Sequence, residues 1–172
     1  MLQNYTSIRN GNLRLHFHDR HRDIQLSQDS GKIVWRYKLG GFIKHTGIEL
    51  GVCAHTGEQL YIHNHPDEGQ ASIVSASDFR QGQTIYYENK SCANNPYQVI
   101  VIGLSAVIQQ VSYRVMGSNC QNLTTGACNN VSNSPDLNKA VYGLAALGLG
   151  YFAFTKIKAA SQAKAKANRS YC

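Results

Sequence analysis

Nucleotide-binding motifs are absent from this sequence, which contains neither a Walker A loop nor a Gly-x-Gly-x-x-Gly fingerprint. There is no Cys-x-x-Cys pair, and an odd number of cysteines at irregular spacing is not typical of a disulfide scaffold. The first thirty residues contain no apolar run that resembles a secretory signal. We therefore expect a cytoplasmic protein with no bound cofactor and with reduced thiols at its five cysteines, Cys53, Cys92, Cys120, Cys128 and Cys172.

Acidic residues are absent from residues 137–172, which carry six Lys and Arg. The rest of the chain holds eleven basic and ten acidic residues, so most of the net charge of +7 lies in this C-terminal segment. The main body is nearly neutral, which argues against nucleic-acid binding. A basic tail favours an anionic membrane surface as the partner of residues 139–172.

A long apolar run lies between Lys139 and Lys156, where sixteen residues are uncharged. As a helix it would be roughly 24 Å long, slightly less than a hydrocarbon core of about 30 Å. Ile157 and snorkelling lysines would extend it. We predict a C-terminal hydrophobic helix over about 140–157 that associates with a membrane, with the basic tail on the cytoplasmic side. Packing of this helix on the domain is the alternative.

The remaining pattern predicts an α+β fold in which a small antiparallel sheet packs against helices, and 42% hydrophobic residues suffice for a core. A polar segment over 1–31 with one half-exposed strand precedes a domain over 32–136. Its strands are predicted over 32–39, 42–53, 59–64 and 84–88, with a turn at Thr56–Glu58 joining the second and third in a hairpin. Residues 97–110 favour a helix over a strand, and another helix begins near Cys120.

Cys120 follows Gly117-Ser118-Asn119, which suits a turn and a helix N-cap. A helix N-terminus favours negative charge, so a cysteine that begins a helix is a candidate nucleophile. Its backbone N–H could also stabilise an oxyanion. A lone cysteine is nevertheless more often a small buried apolar residue, so this pattern needs support from a base.

Two histidines are candidates for that base. His45 and His63 lie in the two strands of the predicted hairpin, so we expect both side chains on one face of the sheet. One imidazole would accept the thiol proton, and the other would hold its tautomer and orientation.

The motifs around these residues resemble one family. HTGIELG resembles the histidine strand of the lecithin:retinol acyltransferase-like proteins, within the NlpC/P60 group of circularly permuted papain-like enzymes. LYIHNHPDEG is similar to their next strand with its second histidine, SASDFRQGQTI to the segment after it, and YRVMGSNCQNLTTGA to their Asn-Cys-Glu-His-Phe nucleophile motif. The resemblance covers about residues 32–128 in the family's order. Only Asn-Cys of the last motif is kept, and Gln121, Asn122 and Leu123 replace the other three.

This resemblance implies a permuted papain-like core in which Cys120 is the nucleophile, His45 the general base and His63 the orienting residue. It implies thiol-dependent acyl transfer on lipid esters at a membrane, through an acyl-thioester and without a metal or cofactor. HTGIELG is also similar to the PPPDE-type thiol peptidases, but those lack the second histidine. Two alternatives stay open, a peptidase or amidase of the NlpC/P60 type with the same triad, and a non-catalytic membrane-anchored binding module.

A zinc site is the rival chemistry. Cys53-x-His55 and His63-x-His65 stand on the two arms of the predicted hairpin, and residues two apart share a face of a strand. Four such side chains would suffice for tetrahedral zinc, but their spacing does not match the common zinc motifs.

Overall fold

The computed structural model describes residues 6–9, 12–17, 20–38, 41, 43–114, 118–131 and 134–136. The chain divides into two compact units, Met1–Ser134 and Pro135–Cys172. The predicted hydrophobic helix over 140–157 and the basic tail after it lie outside the described residues. Within the described ranges, no helix is long and apolar enough to cross a membrane.

The described part of the first unit is an α+β fold with one antiparallel sheet of eight strands and three helices. In chain order these elements are β1 (Thr6–Arg9), β2 (Asn12–Phe17), β3 (Arg20–Gln25), β4 (Ile33–Tyr37), β5 (Lys44–Cys53), β6 (Gln59–Asn64), β7 (Ala71–Ser75), α1 (Ala76–Arg80), β8 (Tyr86–Tyr87), α2 (Pro96–Ile108) and α3 (Cys120–Asn129). The predicted α+β class is confirmed, as is the helix over 97–110. The strand predicted over 84–88 is shorter than expected.

Strand β5 is the centre of the sheet. One edge pairs with β4 along its first half and with β3 at its end, and the other edge pairs with β6. The β5–β6 pairing, with Ile48 opposite Ile62, confirms the predicted hairpin. The N-terminal segment, predicted as a polar stretch with one strand, contributes β1, β2 and β3 to the same sheet. The pairing of β3 with β5 joins this segment to the strands that carry the histidines.

The two faces of the sheet carry different layers, because alternate residues of a strand point to opposite sides. Helices α2 and α3 cover one face over a core that includes Ile48, Leu50 and Ile62. Helix α2 lies so close that a methyl group on Gly103 would approach Ile48 Cδ1 to 2.8 Å. The opposite face holds a smaller cluster around Phe79, which is fully buried beside Val34 and Tyr61. His45 is packed on this second face, with its ring 5.3 Å from that of Phe79.

A disulfide joins Cys92, in the loop before α2, to Cys128 near the end of α3. The expectation that all thiols are reduced is therefore wrong for these two residues. The sequence spacing of 36 residues did not indicate the pair, because the fold brings the loop to the helix end, where Asn94 Nδ2 donates to Ala127 O at 2.8 Å. Disulfides are rare in cytosolic proteins, so this bond does not favour a cytoplasmic location. That location stays a prediction.

Reduction of the Cys92–Cys128 bond should destabilise the protein, because it restores the entropy of a long loop to the unfolded state. A loop of 36 residues corresponds to roughly 3 to 4 kcal/mol of unfolding free energy. Denaturant titration with and without reductant measures the difference. A Cys92→Ser/Cys128→Ser variant should have the same unfolding free energy as the reduced protein, and reductant should not change it. Equal stability of the oxidised and reduced wild type would contradict the prediction.

Candidate active site

Cys120 is the first residue of α3, and Asn119 caps the helix. The Asn119 side chain accepts hydrogen bonds from the backbone N–H groups of Gln121 and Asn122, at 2.9 and 3.0 Å. Asn122 Oδ1 in turn accepts from the Asn119 N–H at 3.3 Å, which completes a capping box. The predicted N-cap and helix start are confirmed. Cys120 is 3% exposed and forms no disulfide.

Side-chain hydrogen bonds hold the first turn of α3 against the beginning of β5. Gln121 Nε2 donates to the Lys44 carbonyl at 3.3 Å, and the hydroxyls of Thr46 and Thr124 lie 2.9 Å apart. A carboxylate side chain at this position could not donate the first of these bonds, so Gln121 has a structural role here. Gln121 immediately follows Cys120, and Lys44 immediately precedes His45. This hydrogen bond therefore joins the start of α3 to the part of β5 that carries His45.

A hydrogen bond from the end of β6 holds the segment that precedes Cys120. Asn64, 1% exposed at the end of β6, donates through Nδ2 to the Ser118 carbonyl at 2.9 Å. Ser118 Oγ also donates to the Ser112 carbonyl at 2.8 Å. Both histidine strands thus help to position the nucleophile candidate, one through Gln121 and the other through Asn64.

His45 and His63 form a buried hydrogen-bonded pair. They are 0% and 2% exposed, and His45 Nε2 lies 2.9 Å from His63 Nδ1. When the Ile48–Ile62 register is extended, His45 lies opposite His65. His63 is then the diagonal neighbour of His45, a distance that aromatic side chains can span. The prediction that both imidazoles share one face of the hairpin is confirmed.

Both imidazoles are neutral at neutral pH. Burial in a poorly solvated site is the main reason that the pKa of His63 falls to about 3, and the same effect lowers the pKa of His45. Neighbouring positive charge, including that of Arg36, acts in the same direction for both pKa values. A neutral imidazole has one N–H donor and one lone pair, so each ring has one nitrogen that can accept.

Two buried ring nitrogens, His45 Nδ1 and His63 Nε2, have no hydrogen-bond partner within the part of the chain that the structure describes. If His45 Nε2 donates to His63, the His45 lone pair lies on Nδ1. Across the described residues, Cys120 Sγ makes no hydrogen bond to either ring. The catalytic roles of Cys120, His45 and His63 therefore stay predictions.

Arg36 is a buried cation of this site that the sequence interpretation did not identify. It is 4% exposed and pairs with His45 in the β4–β5 register. Its guanidinium donates to the Phe79 carbonyl and to Gln81 Oε1, the latter at 2.6 Å. Burial lowers the pKa of Arg36, whereas the nearby Cys120 sulfur, when charged, raises it. Arg36 therefore lies within electrostatic range of Cys120. Its position two residues after buried Val34 in a strand was the available signal.

Glu68 and His65 complete the surroundings of the pair. Glu68 Oε2 lies 3.4 Å from His63 Nε2 and 3.6 Å from His65 Nδ1. His65 is 7% exposed, and its ring centre is 4.8 Å from that of His45. A third imidazole and a carboxylate thus lie beside the two predicted site residues.

The zinc alternative is not supported by the register. Val52 pairs with Gln59, so Cys53 and His55 lie at the turn of the hairpin. His63 lies four residues further along β6, about 13 Å away along the strand. Among the residues that the structure describes, no group of three or more His, Cys, Asp or Glu side chains has the geometry to hold a metal ion.

Acidification should destabilise the fold, because the buried histidines stay neutral in the folded state. The pKa of His63 is about 3 in the fold against roughly 6.5 in an unfolded chain. The unfolded state therefore binds more protons as pH falls, and stability that is complete above about pH 6.5 is lost progressively towards pH 3. The slope is up to about 1.4 kcal/mol per pH unit for each histidine.

Denaturant titration across this pH range measures that slope. His63→Gln should make the slope shallower, whereas His55→Gln, at an exposed position in the hairpin turn, should leave it unchanged. An identical slope in wild type and in His63→Gln would show that His63 does not titrate in this way.

Comparison with known proteins found no relative: no family model matches the chain, and no curated protein matches it. The resemblance to the lecithin:retinol acyltransferase-like proteins therefore depends on the short motifs around His45, His63 and Cys120.

Proposed function

We propose that this protein is a thiol-dependent acyl-transfer enzyme with a permuted papain-like core. Cys120 is the nucleophile, His45 the general base and His63 the residue that orients it. The observations that support the proposal are the buried His45–His63 hydrogen bond of 2.9 Å and the start of α3 at Cys120, next to Gln121, which is bonded to Lys44 at the beginning of the His45 strand. General-base activation of a thiol requires an imidazole with a ring nitrogen available to accept the proton, and His45 Nδ1 has no partner among the described residues.

In the first half of the reaction, His45 Nδ1 takes the proton of the Cys120 thiol. The sulfur attacks the ester carbonyl carbon, and the carbonyl electron pair moves to oxygen. The backbone N–H of Cys120 at the start of α3 is suited to stabilise this oxyanion, because the cap uses the N–H groups of Gln121 and Asn122 instead. Collapse expels the alcohol, which takes the proton from His45, and leaves an acyl-thioester.

In the second half, His45 takes a proton from water or from an acceptor alcohol or amine. The acceptor oxygen or nitrogen attacks the thioester carbonyl, and the Cys120 sulfur leaves and regains its proton. Arg36 supports both halves, because a fixed cation stabilises a nearby thiolate. Its hydrogen bonds to Phe79 and Gln81 hold it in place through the cycle.

Lipid esters are the proposed substrates. A groove of about 230 Å³ lies between α2 and α3, and Ser118 and Asn122, two residues either side of Cys120, line it. Its other walls are largely apolar, which suits a hydrocarbon chain; they include Ile102, Ala106, Val111 and Leu123. We also propose that residues 137–172 bind the anionic membrane that supplies the substrate, on the basis of their apolar run and basic charge.

Mass spectrometry of the intact protein tests this function. After incubation with phospholipid vesicles, we expect an acyl adduct on Cys120 that hydroxylamine removes, and a chain without residues 137–172 should sediment less with the vesicles. An adduct from peptide amides alone would replace the lipid proposal with the amidase alternative. If neither substrate gives an adduct or a product, the enzymatic proposal fails and a binding module is left.

A further inference from the structure

We infer that Glu68 is a positioning residue that selects the tautomer of His63 and, through it, the tautomer of His45. This inference rests on the proposed function for its catalytic meaning, although the tautomers themselves are measurable without catalysis. The sequence analysis assigned no role to Glu68, which lies in the turn after β6.

The distances restrict which ring can donate to Glu68. The Glu68 carboxylate is 3.4 Å from His63 Nε2 and 3.6 Å from His65 Nδ1. The backbone N–H of Asp67, which can only donate, lies 3.3 Å from His65 Nδ1. Since His65 Nδ1 accepts that bond, a neutral His65 carries its proton on Nε2. His63 Nε2 forms no hydrogen bond among the described residues, but His63 is the ring whose N–H can face the Glu68 carboxylate in an electrostatic contact at 3.4 Å.

Two arrangements of protons fit the hydrogen bond between His45 and His63. In the first, His63 carries its proton on Nε2 facing Glu68, and its Nδ1 lone pair accepts from His45 Nε2. In the second, the protons are reversed, and a His63 lone pair faces a carboxylate. The first is favoured, because a carboxylate attracts an N–H and repels a lone pair. It also leaves the lone pair of His45 on Nδ1, which is buried and has no hydrogen-bond partner among the described residues.

The local chain directs Glu68 back towards its own strand. The Gly69 N–H donates to the carbonyls of His65 and Pro66, both at 3.1 Å, which closes a tight turn after β6. Gly69 has a φ of +68°, a conformation that glycine adopts without strain. The turn therefore presents Glu68 to the rings of the residues that precede it.

The other charged groups around His63 do not replace Glu68. Asp78 lies within electrostatic range of His63, but its carboxylate accepts from Ser75 Oγ at 2.9 Å in the cap of α1. Arg36 and Lys38 are cations that lower the pKa of His63, so they disfavour a second ring proton and do not select between the neutral tautomers. Burial raises the pKa of the Glu68 carboxyl, and its side chain is one-third exposed, so it can lose its proton to solvent.

Nitrogen-15 NMR of the full-length protein at neutral pH tests the tautomers directly. In the wild type we expect the proton of His63 on Nε2 and that of His45 on Nε2. Glu68→Ala should shift His63 towards the Nδ1–H form. Asp67→Asn is the matched control, because it removes one negative charge from the adjacent residue, whose carboxylate faces His65 instead. Unchanged tautomers in Glu68→Ala, or the same change in both variants, would overturn the inference.

The rate of Cys120 alkylation by iodoacetamide gives the chemical consequence. Glu68→Ala should slow it roughly 3- to 10-fold, the ratio expected for an ordinary polar contact, because the 3.4 Å approach lacks hydrogen-bond geometry. Glu68→Gln should recover part of the rate because its amide oxygen still presents a partial negative charge to the ring. Asp67→Asn should alkylate at the wild-type rate, and an equal loss there would refute the role of Glu68. A tautomer change without any lipid product would preserve the inference about Glu68 and reject the proposed function.

Discussion

Replacement of Cys120 by alanine should abolish acyl transfer, with turnover lower by a factor on the order of 10⁴ or more. The alanine side chain has no sulfur to form the thioester, and neither histidine can attack the substrate in its place without a new geometry. The buried site accepts a smaller side chain with modest loss of stability, since Cys120 is already a small residue. Release of fatty acid from phospholipid vesicles by wild type and variant measures the effect.

Cys53→Ala is the matched control for this experiment. Cys53 is the other described cysteine outside the disulfide, and it lies at the hairpin turn, away from the histidine pair. It should retain wild-type turnover. Full lipid hydrolysis by Cys120→Ala would mean that the thiol mechanism is wrong, whatever the histidines do.

Replacement of His45 by glutamine should reduce turnover roughly 10²- to 10⁴-fold, the usual contribution of a positioned general base. Glutamine retains a polar group of similar reach but cannot take up a proton at neutral pH. Alkylation of Cys120 by iodoacetamide should slow as well, because the thiol loses the group that accepts its proton. Measuring both rates separates activation of the sulfur from binding of the lipid.

His55→Gln is the control for the histidine experiment, since His55 is exposed in the hairpin turn. Circular dichroism of each variant verifies that the fold persists, because His45 lies in the ring cluster with Phe79. If His45→Gln folds and Cys120 alkylates at the wild-type rate, His45 is not its base. The mechanism would then need another proton acceptor, and His65, whose ring centre is 4.8 Å from that of His45, is a candidate.

Local patterns predicted the elements that carry the site. β-branched and apolar residues before the Thr56–Glu58 turn, and a returning strand after it, indicated the β5–β6 hairpin, and side chains two apart in a strand share a face. That was enough to place His45 beside His63. The residues Ser118 and Asn119 indicated a helix start at Cys120, because short polar side chains satisfy the first N–H groups of a helix.

Other parts of the site had no such local pattern. Arg36 looked like an ordinary charge in a strand, and only the packing of α1 over the sheet shows that it is buried. The zinc hypothesis failed for a related reason, since the register of the hairpin, and not the spacing of Cys53 and His63, decides which side chains meet. The Cys92–Cys128 bond joins segments that approach only in the folded chain.

The sequence by itself determined the hairpin, the cap of α3 and the order in which the histidines and Cys120 occur, because each depends on residues a few positions apart. The tertiary structure alone decided the His45–His63 hydrogen bond, the burial of Arg36 and the approach of Glu68 to His63. Those contacts depend on strand register and on helices packed across the sheet. The register and the packing follow from burial of apolar surface between segments that are distant in sequence. No short window of residues contains that information.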